Sequence, residues 1–309
     1  NVIGKIYAGI ADDMLTTTIM ATTAPKYLCP AMNTEMYNNP ITQRNLEGLR
    51  SLGYHIMDPA EGWLACGITG VGRLPEPEAI VEWLESKMFS TNELEGTTIL
   101  VTAGGTQENI DPVRYIGNRS SGKMGYAIAD QAARMGAQVI LVSAPTSLPV
   151  PSGVDFVSVD SALSMQEAVE ARYNDVNVVI MAAAVSDFRA LHKAEQKIKK
   201  MESMTIELVK NPDILQGLGS KKSHQLLVGF AAETEHVIKY GQDKVARKNL
   251  DMLVANDVSK SNAGFNVDTN EGYFLYPDKE PKKMPNMKKS DLARHILKEV
   301  IELVANKQS

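Results

Sequence analysis

Apolar positions follow two regimes along the chain. From residue 98 onward, short apolar runs alternate with stretches in which apolar residues recur every three or four positions. The runs predict strands at Thr98–Thr102, Gln138–Ser143, Asp155–Val159, Val176–Ala182, Leu226–Ala231 and Met252–Ala255. The helical spacings predict helices at about Gly122–Met135, Ala162–Tyr173, Glu235–Lys248 and Ser290–Ala305. Near-continuous apolar strands separated by helices are the pattern of a buried, mostly parallel sheet, so the fold class is α/β. Gly272–Tyr276, flanked by Asn and Pro, predicts an added hairpin strand. At the start of the chain, Ile3, Ile6, Ile10 and Met14 predict one helix, and Pro77–Met88 reads as an amphipathic helix. The polar stretch Ser90–Gly96 then precedes an abrupt strand signal, which divides the chain into domains at 1–92 and 97–309.

Composition alters this picture little. A chain of 309 residues with 44% hydrophobic and 22% charged residues has room for two globular domains. Its net charge of -5 gives no general reason to expect nucleic acid or an anionic membrane surface as partner. The two cysteines, Cys29 and Cys66, exclude a disulfide framework and fit a reducing cytoplasm. The longest apolar run, Val178–Val185, is too short to span a bilayer, and no signal peptide is visible. The sequence opens at Asn1 inside a helical pattern, which suggests that an N-terminal portion precedes it.

Ligands of parallel α/β sheets bind beyond the carboxyl ends of the strands, and this chain concentrates its unusual residues there. The first strand of the second domain leads into Ala103-Gly-Gly-Thr106, the fourth into Ala182-Ala-Ala-Val-Ser-Asp187 and the fifth into Phe230-Ala-Ala-Glu233. Gly104 and Gly105 would let backbone N–H groups approach phosphate oxygens. Ser120-Ser121-Gly122 looks like a helix start, whose dipole favours an anion. The string is neither a Walker loop nor a dinucleotide fingerprint, so on these pieces alone an ordinary βα turn is an equal reading.

The full string from Ala103 to Gly125, with Asn-Arg-Ser-Ser-Gly-Lys-Met-Gly at its end, closely resembles the signature of phosphopantothenate–cysteine ligase. Lys197-Ile-Lys-Lys200, Lys210-Asn-Pro-Asp-Ile214, Gly229-Phe-Ala-Ala-Glu-Thr234, Arg247-Lys-Asn-Leu-Asp251 and Ala255-Asn-Asp257 follow in the family's order. The resemblance implies a Rossmann-like ligase domain with a hairpin arm, and Gly272–Tyr276 is the candidate for part of an arm exchanged in a dimer. It also implies a reaction in which the 4'-phosphopantothenate carboxylate attacks the α-phosphate of CTP. Cysteine would then displace CMP from the acyl-cytidylate. On the same resemblance Asn118 would contact the acyl-cytidylate, Lys197 would be a mobile-loop lysine meeting the phosphates, and Asp187 would bind nucleotide or Mg2+. Met181, Ala182, Ala183, Pro212, Asp213, Ile214, Leu215 and Phe230 would surround the nucleotide. Lys244 and Lys248 would reach the triphosphate, beside Ser120 and Ser121. Read without the resemblance, Asn118 is equally a left-handed turn residue, Lys197 a solvated surface lysine and Phe230 plain core.

Residues 1–92 contain Pro30-Ala-Met-Asn-Thr-Glu-Met36 and Gly62-Trp-Leu-Ala-Cys-Gly-Ile-Thr-Gly-Val-Gly-Arg73. These resemble the substrate-binding and active-site-cysteine segments of the FMN-dependent phosphopantothenoylcysteine decarboxylase that is fused to the ligase in bacteria. The resemblance implies that Asn33 grips the substrate carboxylate and Cys66 donates a proton. The family's flavin-binding segment and catalytic histidine have no match here, so this stretch is the C-terminal part of an α/β flavoprotein domain. Poor FMN binding and little decarboxylation are therefore expected of this chain alone. A homo-oligomer follows from the resemblance, a ligase-domain dimer within a larger assembly. Two other classes remain open: a flavin or nicotinamide oxidoreductase, and a non-catalytic binding subunit.

Overall fold

The structure is a computed structural model that describes residues 1–65, 67–88, 91–200, 202–233, 235–257 and 269–308. Internal contacts divide the chain into two units, Asn1–Ser90 and Thr91–Ser309.

In the first unit the single expected helix at the chain's start is two, α1 (Val2–Ala8) and α2 (Met14–Ala21). Gly9 ends α1 in the left-handed conformation at φ 70, which costs glycine little. The Asp13 carboxylate then caps α2 by accepting the Thr16 N–H at 2.8 Å. Ile10 therefore falls in the connection, and Met14 begins the second helix rather than continuing the first. A short parallel pair follows, β1 (Tyr27–Leu28) with β2 (His55–Ile56), where the Tyr27 and His55 rings stack at 4.7 Å. Between them run α3 (Thr34–Asn38) and α4 (Pro40–Ser51), and α4 buries Leu46 and Leu49 completely. An antiparallel hairpin, β3 (Ala60–Trp63) and β4 (Thr69–Arg73), leads to α5 (Pro77–Met88), which occupies the range predicted for it.

The second unit begins with β5 (Thr98–Ala103), then a small hairpin of β6 (Gln107–Asn109) and β7 (Tyr115–Gly117), then α6 (Lys123–Arg134). Next come β8 (Gln138–Ser143), β9 (Val154–Ser158), α7 (Ala162–Glu170) and β10 (Val178–Met181). A two-stranded ladder, β11 (Phe188–Ala190) with β12 (Leu208–Lys210), precedes α8 (Ile214–Ser220) and β13 (Leu226–Glu233). The chain closes with α9 (Val237–Arg247), β14 (Met252–Asp257), β15 (Thr269–Leu275), β16 (Lys282–Lys288) and α10 (Lys289–Gln308). The main sheet has eight strands in the order β16-β15-β14-β13-β10-β5-β8-β9. Neighbours from β14 to β9 run parallel, and β15 and β16 are antiparallel additions.

This order follows from the side chains. Val178, Val179 and Ile180 of the central β10 are fully buried, because neighbours cover both of its edges and helices both of its faces. One layer of core unites Ile99, Val101, Ile128, Ala132, Ile180, Val228 and Ile296, seating α6 and α10 on one face. The other unites Leu100, Val142, Met165, Val179, Leu218, Leu227 and Val245, seating α7, α8 and α9 on the opposite face. Beneath α10, the ammonium of Lys282 and the hydroxyl of Tyr276 donate to the largely buried Glu299. Burial opposes the Glu299 charge, but those two donors more than offset it and hold the carboxyl below its usual range.

The segment expected as part of an exchanged arm forms the antiparallel strand β15. Gly272 to Leu275 pair with Leu253 to Asn256 of the same chain, and Phe274, Leu275 and Tyr276 are at most 3% exposed.

Candidate functional site at the strand ends

The sheet reverses its winding between β5 and β10, the place where parallel α/β folds open a crevice. Here the two loops are joined beyond the strands themselves. Ala183 N–H donates to Thr102 Oγ1 at 3.1 Å, Ala184 N–H to the Gly104 carbonyl at 2.8 Å, and Ser186 N–H to the buried Thr106 Oγ1 at 2.9 Å. Gly104 sits at φ 80, and a Cβ there would lie 2.7 Å from the Ala144 carbonyl oxygen. Gly104 and Gly105 thus serve the joint between loops, and neither lines the cavity beside it. The sequence assigned them to phosphate because glycine-rich turns serve both purposes.

That cavity holds about 370 Å³. One wall is the start of α6: Ser120, Ser121 and the backbone from Gly122 to Gly125. Gly122 N–H donates to Ser120 Oγ, and the first-turn N–H groups that follow have no acceptor inside the helix, so the wall presents donors and a positive dipole end. Ala182, Ala183, Asp187 and Phe230 also line it, and Lys244 supplies a cation from α9. Asn118, on the exposed rim, donates from Nδ2 to the Ala184 and Val185 carbonyls at 3.3 Å each. Among the described non-glycine residues, only His236 and Asn249 have positive φ, so Asn118 is not the left-handed turn residue it could have been. Asp187 is steadied by Asn211, whose N–H donates to the Asp187 carbonyl at 2.7 Å and whose amide donates to the Ser186 carbonyl at 2.8 Å.

Other residues expected around the nucleotide do not line this cavity. Ile214 and Leu215 are buried in the core with Met181, and Pro212 is not part of the cavity wall. Asp213 caps α8 through the Gln216 N–H and pairs at 2.8 Å with Lys248, the residue after α9. Burial opposes the Asp213 charge, but the Lys248 ammonium, the Gln216 N–H and the nearby Arg247 together outweigh it, and the carboxyl sits below its usual range. Lys197 is exposed and lies outside the wall. Sequence reasoning passed over Asn270 and Lys289, both largely buried and both on the wall. They arrive through the antiparallel β15 and the following β16–α10 return, which no local motif announces. Asn256, within the quoted Ala-Asn-Asp run, also lines the cavity, and its Oδ1 is buried with no partner among the described residues. Among the described residues no group of three or more His, Cys, Asp or Glu could hold a metal, and Asp187 is the carboxylate among those lining the cavity.

In the first unit, the β3–β4 hairpin packs on the segment around Asn33. Met32 N–H donates to the Gly72 carbonyl at 2.8 Å, and a Cβ on Gly72 would meet the Met32 oxygen at 2.0 Å. Asn33 caps α3 by accepting the Glu35 N–H at 2.8 Å. Cys66 lies outside the described residues.

A parallel sheet with a donor-rich helix start and a lysine at its switch point defines a Rossmann-like α/β domain suited to an anionic ligand. Two family models match the chain: "Flavoprotein" over residues 1–89 and "DNA/pantothenate metabolism flavoprotein C-terminal domain" over residues 94–304. The chain is 48% identical over 307 residues to the coenzyme A biosynthesis bifunctional protein CoaBC of Bacillus subtilis (strain 168), covering 98% of this chain and 76% of that one. Identity to the protein of that name from Escherichia coli (strain K12) is 45%, covering 97% and 75%. A crystal structure of the C-terminal domain of a CoaBC protein superposes with a TM-score of 0.61 at 44% identity, covering 70% of this chain and all of that one. The chain belongs to the CoaBC family. Among the described residues no helix is long and apolar enough to cross a membrane.

Proposed function

We propose that residues 97–309 ligate 4'-phosphopantothenate to cysteine at the expense of CTP. The observation that carries this reading is the placement of Asn118, hydrogen-bonded across the β5–β10 joint on the rim of a cavity that offers the start of α6 and Lys244 to phosphates. The pantothenate carboxylate oxygen attacks the α-phosphorus, the bond to the bridging oxygen breaks, and pyrophosphate leaves. The cysteine amine then attacks the acyl carbon and CMP departs with the electron pair. Both steps build negative charge on phosphate, which pre-aligned N–H donors and lysines stabilise without reorganising. Asn118 steadies the acyl-cytidylate with an uncharged amide, and Lys197 meets the phosphates from its exposed loop. Mg2+ commonly uses one protein carboxylate together with substrate phosphates, and Asp187 suits that role, adding charge neutralisation.

Residues 1–92 would serve an FMN-dependent decarboxylation of 4'-phosphopantothenoylcysteine, in which Asn33 holds the substrate carboxylate and Cys66 donates a proton. FMN supplies the redox chemistry. A cytoplasmic homo-oligomer, with a ligase-domain dimer at its base, accompanies this reading.

Pyrophosphate release tests the ligase. With CTP and 4'-phosphopantothenate alone, about one pyrophosphate per site is expected, and added cysteine should make release continuous and stoichiometric with amide product. ATP should replace CTP poorly. If no nucleotide gives pyrophosphate under any condition, the ligase reading falls and a binding role replaces it.

A further inference from the structure

Outside the cavity, Asp111 is a fully buried charge at the turn of the β6–β7 hairpin. Its Oδ1 accepts the N–H groups of Val113 and Arg114, both at 2.8 Å. That much is an ordinary Asx turn, for which asparagine would serve equally. The second oxygen does something the turn does not need. Oδ2 accepts Arg114 Nε at 3.0 Å, Arg114 Nη2 at 2.6 Å, and the N–H of Ile198, far along the chain, at 3.1 Å. Arg114 Nη2 donates in turn to the Ile198 carbonyl at 3.0 Å, and Ala194 N–H donates to the Ile110 carbonyl at 2.9 Å. Ile198 is therefore gripped at both its N–H and its C=O, next to Lys197.

We propose that Asp111 is a positioning residue for Lys197: with Arg114 it clamps Ile198 and so fixes where the Lys197 side chain begins. The inference rests on the role given to Lys197 above. The same hairpin carries the second partner, because β7 ends at Gly117 and Asn118 follows directly. One rigid turn thus holds the lysine segment at its tip and the rim asparagine at its base, setting the register between them. A carboxylate is required because every partner of Oδ2 is a donor, and an amide nitrogen there would face three of them. The Arg114 guanidinium, despite opposing burial, holds the Asp111 carboxyl far below the usual range, so the clamp stays charged at any working pH.

The test compares Asp111→Asn, Lys197→Gln and the double variant. Asp111→Asn is expected to slow amide formation roughly 10- to 100-fold, the scale of a small misplacement, while CTP affinity changes little. In the Lys197→Gln background the same change should add almost nothing, since the residue it positions is gone. Ile198→Pro, which deletes the clamped N–H and leaves the hairpin's own bonds intact, should reproduce the loss. Trypsin should also cut after Lys197, Lys199 and Lys200 faster in folded Asp111→Asn than in wild type. Fully additive losses in the double variant, or wild-type rates for both folded Asp111→Asn and Ile198→Pro beside an impaired Lys197→Gln, overturn the inference. A fully active Lys197→Gln instead overturns the role assigned to that lysine, and the clamp's purpose with it.

Discussion

Asn118→Asp is expected to reduce amide formation about 100- to 1000-fold, the range seen when a pre-aligned donor to developing charge is lost. The substitution is nearly isosteric, so the fold should survive and the effect should be chemical. In the wild type the Asn118 amide nitrogen bridges two carbonyls, Ala184 and Val185, at 3.3 Å each. Aspartate has no N–H, and its carboxylate would face two carbonyl oxygens instead. It would also place a negative charge on the rim of a cavity whose proposed occupants are a triphosphate and a carboxylate. At about 4 Å such a repulsion is on the order of 1 kcal/mol in water and about 4 kcal/mol in a partly screened site. Product should be followed as amide, with thermal unfolding confirming the fold. Unchanged amide formation by folded Asn118→Asp would remove this residue from the chemistry.

Gly125→Val is expected to give the largest loss of stability among single changes near the cavity. Gly125 lies on the side of α6 that meets β5, and a Cβ there would stand 2.6 Å from Ala103 Cβ and 2.8 Å from the Thr102 carbonyl oxygen. These atoms belong to a central strand bonded on both edges, so neither can retreat. The helix itself must lift, which costs about 1–3 kcal/mol or more in overpacking and backs the first turn away from the cavity. For a domain of this size, a drop in melting temperature of roughly 5–10 °C should follow, with weakened nucleotide binding. A melting temperature within a degree of wild type would show that the contact between α6 and β5 has slack.

Much of the architecture is legible in the sequence because burial on both faces of a parallel strand leaves a plain trace. The run Gln138–Ser143 is read with its bounds intact, and Leu226–Ala231 is a strand that continues two residues further. The small ladders β6–β7 and β11–β12 leave no such trace, since their residues are mostly polar or half exposed and pair over three positions only. The same contrast governs the site. Asn118, Ser120, Ala183, Asp187, Phe230 and Lys244 lie near strand ends or helix faces, where topology converts sequence order into proximity, and they meet around one cavity. Lys197 hangs on a loop whose course depends on Asp111 and Arg114, so its distance from that cavity is not a matter of periodicity. Asn270 and Lys289 come from an antiparallel return, which reverses the rule that functional residues follow the carboxyl ends of strands.

The joint between β5 and β10 also has a bearing on when the cavity comes into being. Ile99 lies beside Val178, and Thr102 Oγ1 is 3.7 Å from the Met181 sulfur, contacts that span 79 positions of the chain. Bringing such distant segments together carries a closure cost that local hairpins escape. As the chain emerges during synthesis, β5, α6, β8 and β9 precede the strand that completes the crevice, and β13 and β14 follow it. No early fragment contains both walls. A ligand that bridges them therefore binds only the finished sheet, and its binding energy adds to the stability of the whole unit rather than to that of any loop.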